Sequence, residues 1–304
     1  MSSTMLALIQ QATTEMGLAV PTIVAGNTNV DIVQQLGLLN AAGNELQREY
    51  EWQQITKEYR FVTVYYTYTG TTTSGSVTVT GMSSVVGLTT TPTYFSVTGT
   101  GMQQDTYLAT AGGTTITLNL PATASGSATL TFSQTLYVMP SDYDRLKDKT
   151  DWDKTKHWEM MGPETGQQWQ WLKSGFISTG PRLRYRVLGG FFQIWPPAGI
   201  ADYLGFEYIS TNWVLAAADV ITPSKSSLTV DTDTCIFPDR LMVTALKHRY
   251  FQVKGFGDVY LRDYERQLSI AKANDAGSPT LSMAPRRTEV LITQQNVPDS
   301  GYGT

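Results

Sequence analysis

Apolar side chains recur every three or four positions at the start of the chain. Met5, Leu6, Ile9, Ala12 and Met16 predict a helix that Ser2 or Ser3 can cap and Gly17 can end. After a Pro and Gly loop, Asn29 or Asp31 opens a longer helix striped by Ile32, Leu36, Leu39, Gly43, Leu46 and Tyr50, which must pack on another helix. At Tyr59 the period drops from 3.6 to 2. Phe61, Thr63, Tyr65 and Thr67 alternate with Val62, Val64, Tyr66 and Tyr68, the β-branched and aromatic alternation of a strand. Ser76 to Thr80, Tyr94 to Thr98, Thr114 to Leu120 and Ala128 to Phe132 read as further short strands between Gly, Ser and Pro turns.

Past this region the pattern changes again. Tyr137 to Leu146 reads as a strand end, a turn and a helix start capped by Ser141 or Asp142. Trp152, Trp158, Trp169 and Trp171 stand in a polar stretch. Arg182 to Val187, Phe191 to Trp195 and Leu204 to Ile209 then suggest an antiparallel meander broken by Gly189-Gly190 and Pro196-Pro197. Pro238 and Asp239 open the strongest helical segment, which runs to about Lys254. A second helix from Asp258 to about Asn274 carries Tyr260, Leu261, Tyr264 and Leu268, and the pair can close against the first two helices. From Asp275 onward, Gly277, Pro279, Pro285 and Pro298 interrupt any period, so the end of the chain reads as an extended arm.

Composition divides the chain more sharply than periodicity does. Val62 to Thr135 holds 23 Thr, 9 Gly, 8 Ser and a single charged residue, Asp105, whereas the other 230 residues hold the remaining 47 charges. Such a step marks a separate module, and the regular alternation of Thr114 to Leu120 argues that it is folded. Its incoming strand, near Arg60 to Tyr68, and its returning strand, near Thr129 to Val138, are expected to pair antiparallel as a two-stranded stalk. The expected fold class is therefore α+β: a helical bundle with an antiparallel β-sheet region and an inserted Thr-rich β-sandwich (Ig-like) module. The division is 1–61 and 136–274 for the core, 62–135 for the module and 275–304 for the arm.

Charge and chemistry narrow the function by exclusion. A net charge of -4 argues against a general nucleic-acid binder. The lone Cys235 forms no internal disulfide and no thiolate zinc cage. The start of the chain has no signal-peptide pattern and no segment approaches 18 uncharged apolar residues, so neither secretion nor membrane spanning is expected. Asp231-Thr-Asp233 can be written as a cation site, but a solvated acidic strand or turn before Pro238 is the simpler reading. His157 and His248 have no nucleophile in a recognisable elbow, and Gly99-Thr-Gly101 and Gly255-Phe-Gly257 are turns rather than phosphate loops. Trp158, Trp169, Trp171 and Trp195 can line a glycan groove or, more simply, pack a core or a subunit contact. No catalytic residue, cofactor or metal is expected. Arg182, Arg184 and Arg186 fall on one face of a strand, where they are solvated, line a channel or meet another subunit. In the arm, Arg286 and Arg287 are ordinary solubilising charges or anchors for acidic groups on a partner, beside the apolar group Val290, Leu291 and Ile292.

Several pieces, in order, resemble the head-to-tail adaptor (connector, tail tube A-like) proteins of short-tailed double-stranded DNA bacteriophages. They are the two amino-terminal helices, Tyr137-Val-Met-Pro140 with Asp142 and Arg145, and the Trp-rich segment. Tyr185-Arg186 with Gly189-Gly190, Ile194-Trp-Pro-Pro197, Phe206 to Val214, Phe237-Pro-Asp-Arg-Leu241 and Lys254-Gly255 follow. The module at 62–135 departs from that pattern. The resemblance implies a non-enzymatic virion protein, made in the host cytoplasm, whose copies form a dodecameric ring. That ring docks on the portal protein, receives the tail nozzle or tail tube protein and lets DNA pass without specific binding or any membrane. The rival readings are a glycan-binding or glycan-cleaving tail component and a head decoration protein.

Overall fold

The computed structural model describes residues 3–90, 94–175, 182–219, 221–256 and 259–275. Helix α1 (Met5–Met16) is capped one position later than the serines suggested: the Thr4 hydroxyl accepts from the Ala7 N–H. Ser3 instead gives its own N–H and hydroxyl to the Asp239 carboxylate, at 2.9 and 2.6 Å. Gly17 ends the helix at φ +70°, where a side chain would be strained. Asn29 caps α2 (Val30–Glu49), which buries Ile32, Leu39, Gly43 and Leu46. Gly43 is there because the Trp213 ring lies against it, and a Cβ would sit 2.2 Å from that ring.

The single strand expected across Arg60 to Tyr68 is two. Strand β1 (Thr56–Val62) stops where Thr63 donates its N–H to the Asp202 carbonyl, and β2 (Tyr65–Thr72) starts with a new partner. Then come β3 (Thr78–Val79), β4 (Phe95–Gly99), β5 (Leu108–Gly112), β6 (Thr115–Leu118) and β7 (Gly126–Gln134). Strand β2 does pair antiparallel with β7, from Tyr65 opposite Ser133 to Thr72 opposite Gly126. It does so inside a three-stranded sheet with β4, not as an isolated stalk, and β3, β6 and β5 form a second three-stranded sheet. Both sheets bury side chains in one core that includes Val79, Phe95, Val97, Leu108, Ile116, Leu130 and Phe132.

Beyond β7 come β8 (Leu136–Val138) and β9 (Tyr143–Leu146), where a helix start was expected. Tertiary pairing decides this: Leu146, Arg145 and Tyr143 lie opposite Tyr208, Ile209 and Ser210. Strands β10 (Trp152–Asp153) and β11 (Trp158–Glu159) lead to α3 (Gly166–Lys173), a helix inside the Trp-rich stretch. The hairpin β12 (Arg184–Leu188) and β13 (Phe191–Trp195) pairs with β8. The meander ends there, because β14 (Tyr203–Ser210) belongs to another sheet, between β1 and β10 with β9 also alongside. Tyr137, Tyr185, Phe192, Ile194, Leu204 and Phe206 fill the space between these sheets.

The short pair β15 (Val214–Leu215) and β16 (Thr234–Cys235) precedes α4 (Asp239–Val253) and α5 (Leu261–Asp275). Helix α4 packs on α1, α2 and α5. Their core gathers Leu8, Ile9, Leu39, Leu46, Trp213, Phe237, Leu241, Val243 and Leu246. Each large apolar side chain fully buried there contributes about 1.5 to 3 kcal/mol relative to exposure. The whole is mixed α+β. The arm at 275–304, with Arg286, Arg287, Val290, Leu291 and Ile292, lies outside the described residues apart from Asp275.

Candidate interaction surfaces

The three arginines expected on one strand face divide by environment. Arg184 and Arg186 lie in β12 opposite Trp195 and Gln193, and both are half-buried. Arg184 gives its Nη1 hydrogen to Glu164 at 2.5 Å, so its charge is taken up internally. The Arg186 guanidinium lies beside Gly166 at the start of α3, while Arg182 precedes the strand and is exposed. Helix α3 starts here because Thr165 and Gln168 form a capping box, with the Thr165 hydroxyl accepting from the Gln168 N–H. The helix aims Trp169 and Leu172 inward against Trp195.

Trp169 and Trp195 contribute to the lining of a cavity of about 450 Å³ together with Tyr94, Tyr107, Asp105, Lys173 and Phe191. Trp158 and Trp171 are exposed and take no part in that lining, so the four tryptophans do not form one groove.

Asp231-Thr-Asp233 is not a solvated acidic turn. The Asp233 side chain is 2 % exposed, forms an ion pair with Lys225 and accepts from the N–H groups of Thr229 and Val230 at 2.8 and 2.9 Å. Burial pulls its carboxyl upward, but the Lys225 hydrogen bond and the two backbone donors outweigh this and hold it below the usual range. Asp231 accepts from the Val24 and Ala25 N–H groups. The carbonyls of both aspartates receive the Met5 and Leu6 N–H groups, so the turn clamps the start of α1 and satisfies donors that a helix leaves unpaired.

Other polar clusters are structural too. Asp142, expected as a helix cap, accepts instead from Lys57 (2.6 Å), Tyr208 (2.9 Å) and Ser210 (2.7 Å), tying β1 and β14 to the turn before β9. Asp151 is 2 % exposed and accepts from the Tyr185 hydroxyl at 2.7 Å, and its burial pushes the carboxyl up to about 6. His248 stacks on Tyr264, and His157 occupies a left-handed turn position, φ +58°. Cys235 is fully buried, which pushes its thiol up to about 12. Among the described residues no group of three or more His, Cys, Asp or Glu side chains is placed to hold a metal. No helix among them is long and apolar enough to cross a membrane.

Two apolar groups do face solvent. Val20, Ile23, Val30 and Val33 surround the connection from α1 to α2, with Val30 79 % exposed. Val253, Phe256 and Val259 surround the connection from α4 to α5, with Phe256 61 % exposed. Isolated apolar side chains on a surface are ordinary, whereas contiguous apolar patches mark contact sites. Composition cannot reveal them, because exposure depends on which side of each helix meets the core.

The sequence model of a family described as SU10 adaptor protein matches residues 105–288, more than half of the chain. No curated protein matches it.

Proposed function

The chain belongs to the SU10 adaptor protein family, a phage structural family, and from that premise we propose that it forms the ring between portal and tail of a short-tailed double-stranded DNA phage. The family match is the observation that carries this reading. In it, twelve copies dock on the portal protein, continue the DNA channel and receive the tail nozzle or tail tube protein. Work of this kind is mechanical: complementary surfaces hold partners and no substrate is turned over. The exposed apolar groups at the α1–α2 and α4–α5 connections support it, since a ring needs two unlike faces on each copy. Arg182, the exposed member of its strand group, is assigned to the channel wall or a subunit contact.

The same reading divides the chain into a core of 1–61 and 136–274, an inserted module at 62–135 and an arm at 275–304. Two three-stranded sheets over one apolar core support an immunoglobulin-like sandwich for the module. The arm, through Arg286, Arg287, Val290, Leu291 and Ile292, is the proposed anchor on the portal or a neighbouring copy.

The test is co-sedimentation of purified protein with purified portal, followed by negative-stain imaging for a ring on the portal. A chain truncated after Asp275 keeps the carboxylate that accepts from the Gln53 N–H. It should melt at nearly the same temperature as the full chain but bind portal far more weakly. Equal binding by both forms would move the anchor to the helix connections. Failure of the full chain to bind portal at all would remove the adaptor reading.

A further inference from the structure

Asp105 is the one charged residue between Val62 and Thr135, and the fold spends it outside the module. Its carboxylate meets the Lys173 ammonium, at the end of α3, at 2.8 Å. Lys173 in turn lies over the Trp195 ring, 5.8 Å from its centre. The neighbouring Gln104 side chain packs on Gly175, where a Cβ would come within 2.7 Å of it. Asp105 has φ +58°, a left-handed conformation that Asp and Asn tolerate far better than other side chains.

Among the described residues the Asp105–Lys173 contact is the one ion pair between 62–135 and the rest of the chain. One cavity of about 450 Å³ and another of about 500 Å³ share Ser96, Asp105 and Trp195, so the pair bridges a cleft instead of sitting in packed side chains. The returning chain connection, Thr135–Leu136, lines the same cavity of about 450 Å³ as Asp105 and Lys173. Val64 and Gln134 meet there through the Tyr137 hydroxyl, which accepts from the Val64 N–H and donates to the Gln134 carbonyl. The Ile194 N–H donates to the Thr135 carbonyl beside them. Two strand crossings side by side are the geometry of a hinge.

We propose that the Asp105–Lys173 pair is a latch that fixes the angle of the inserted module against the rest of the chain, and that opening it lets the module turn about the Thr63–Val64 and Gln134–Thr135 connections. Both side chains keep about a quarter to a third of their surface in water, 36 % for Asp105 and 26 % for Lys173. The tie is therefore weak enough to be broken by a competing charge, and it responds to salt. A partner that offers a carboxylate to Lys173 or a cation to Asp105 would release the module at the moment of contact.

The inference rests on reading 62–135 as an insertion, which a deletion experiment tests independently. The latch is tested by electron spin resonance distances between nitroxides on Ser127→Cys in the module and Arg266→Cys on α5. Both positions are exposed, and buried Cys235 will not take the label. The parent protein should give one narrow distance distribution. Asp105→Asn, which suits the left-handed position, and Lys173→Gln should each broaden it, with several-fold more of the population outside the parent peak. Lys173→Arg should keep it narrow. In 1 M NaCl, where the Debye length is about 3 Å, the parent should broaden and the two neutral variants should not change. A narrow distribution unchanged by either neutral substitution would overturn the latch, as would a parent distribution already as broad as theirs.

Discussion

A carboxyl buried without a cation beside it costs stability whenever folding forces it to be charged. Asp151 is in that position: burial raises it from its ordinary 3.8 to about 6, the Tyr185 hydroxyl offsets only part of this, and nearby Asp148 and Glu159 add repulsion. Below about pH 3.8 both folded and unfolded chains hold the proton and the site is neutral to folding. Between 3.8 and 6 the unfolded chain releases the proton while the folded chain keeps it, so stability falls as pH rises. Above 6 the full cost is present, about 3 kcal/mol for two pH units of displacement. Asp142 and Asp233 are held low, so they lose stability at the acid end and act outside this window. Urea unfolding between pH 4.5 and 7 should therefore show stability declining by about 2 kcal/mol in the parent, and Asp151→Asn should flatten that slope. A slope that survives the substitution would place its origin in another group.

At the scale of elements, the turn before β16 shows how a side chain that braces its own turn lets the turn's carbonyls hold a helix end far away in sequence. Asp233→Ala removes the acceptor of two backbone N–H groups and leaves Lys225 without its carboxylate, on the Thr229 hydroxyl alone. Lys225 keeps contact with water, so most of the loss comes from the backbone donors, and chemical denaturation should register about 2 to 4 kcal/mol. Asp231→Ala should cost less, because Asp231 is only half-buried. Equal and negligible losses would return this turn to a solvated one. The sequence placed α1, α2, α4 and α5 to within about three residues of their ends, since a 3.6-residue stripe and caps such as Asn29 and Gly17 are local signals. It misplaced Tyr143–Leu146, where Pro140, Ser141 and Asp142 imitate a helix start. The unpaired edge of β14 claimed that segment, and no local pattern records a pairing 60 residues away. Helix α3 was legible in the Thr165–Gln168 capping box, which the surrounding tryptophans obscured. The burial of Asp233 was not legible, because Lys225 and the two N–H donors meet it only in three dimensions.

For the whole molecule, the change of partner at Thr63 sets where the proposed module would be cut out. Val62 still pairs with Tyr203 in the core, and the Thr135 carbonyl accepts from Ile194, so the cut belongs at Val64–Gln134 and not at the composition boundary. Joined by a short Gly linker, the remaining chain should keep its helical circular dichroism and melt in one cooperative step. Loss of cooperativity would make the module part of the common core. The route of the chain also orders its synthesis. The buried faces of α1 and α2 are completed by Phe237, Leu241 and Leu246, about 190 residues after α2 ends. At ribosomal rates of about 5 to 20 residues per second they wait roughly 10 to 40 seconds with apolar surface uncovered. The module's core, complete by Phe132, needs nothing made later. The Thr-rich segment, low in charge, is thus the first part of a nascent chain able to fold, while the helices that start the chain are among the last to find their partners.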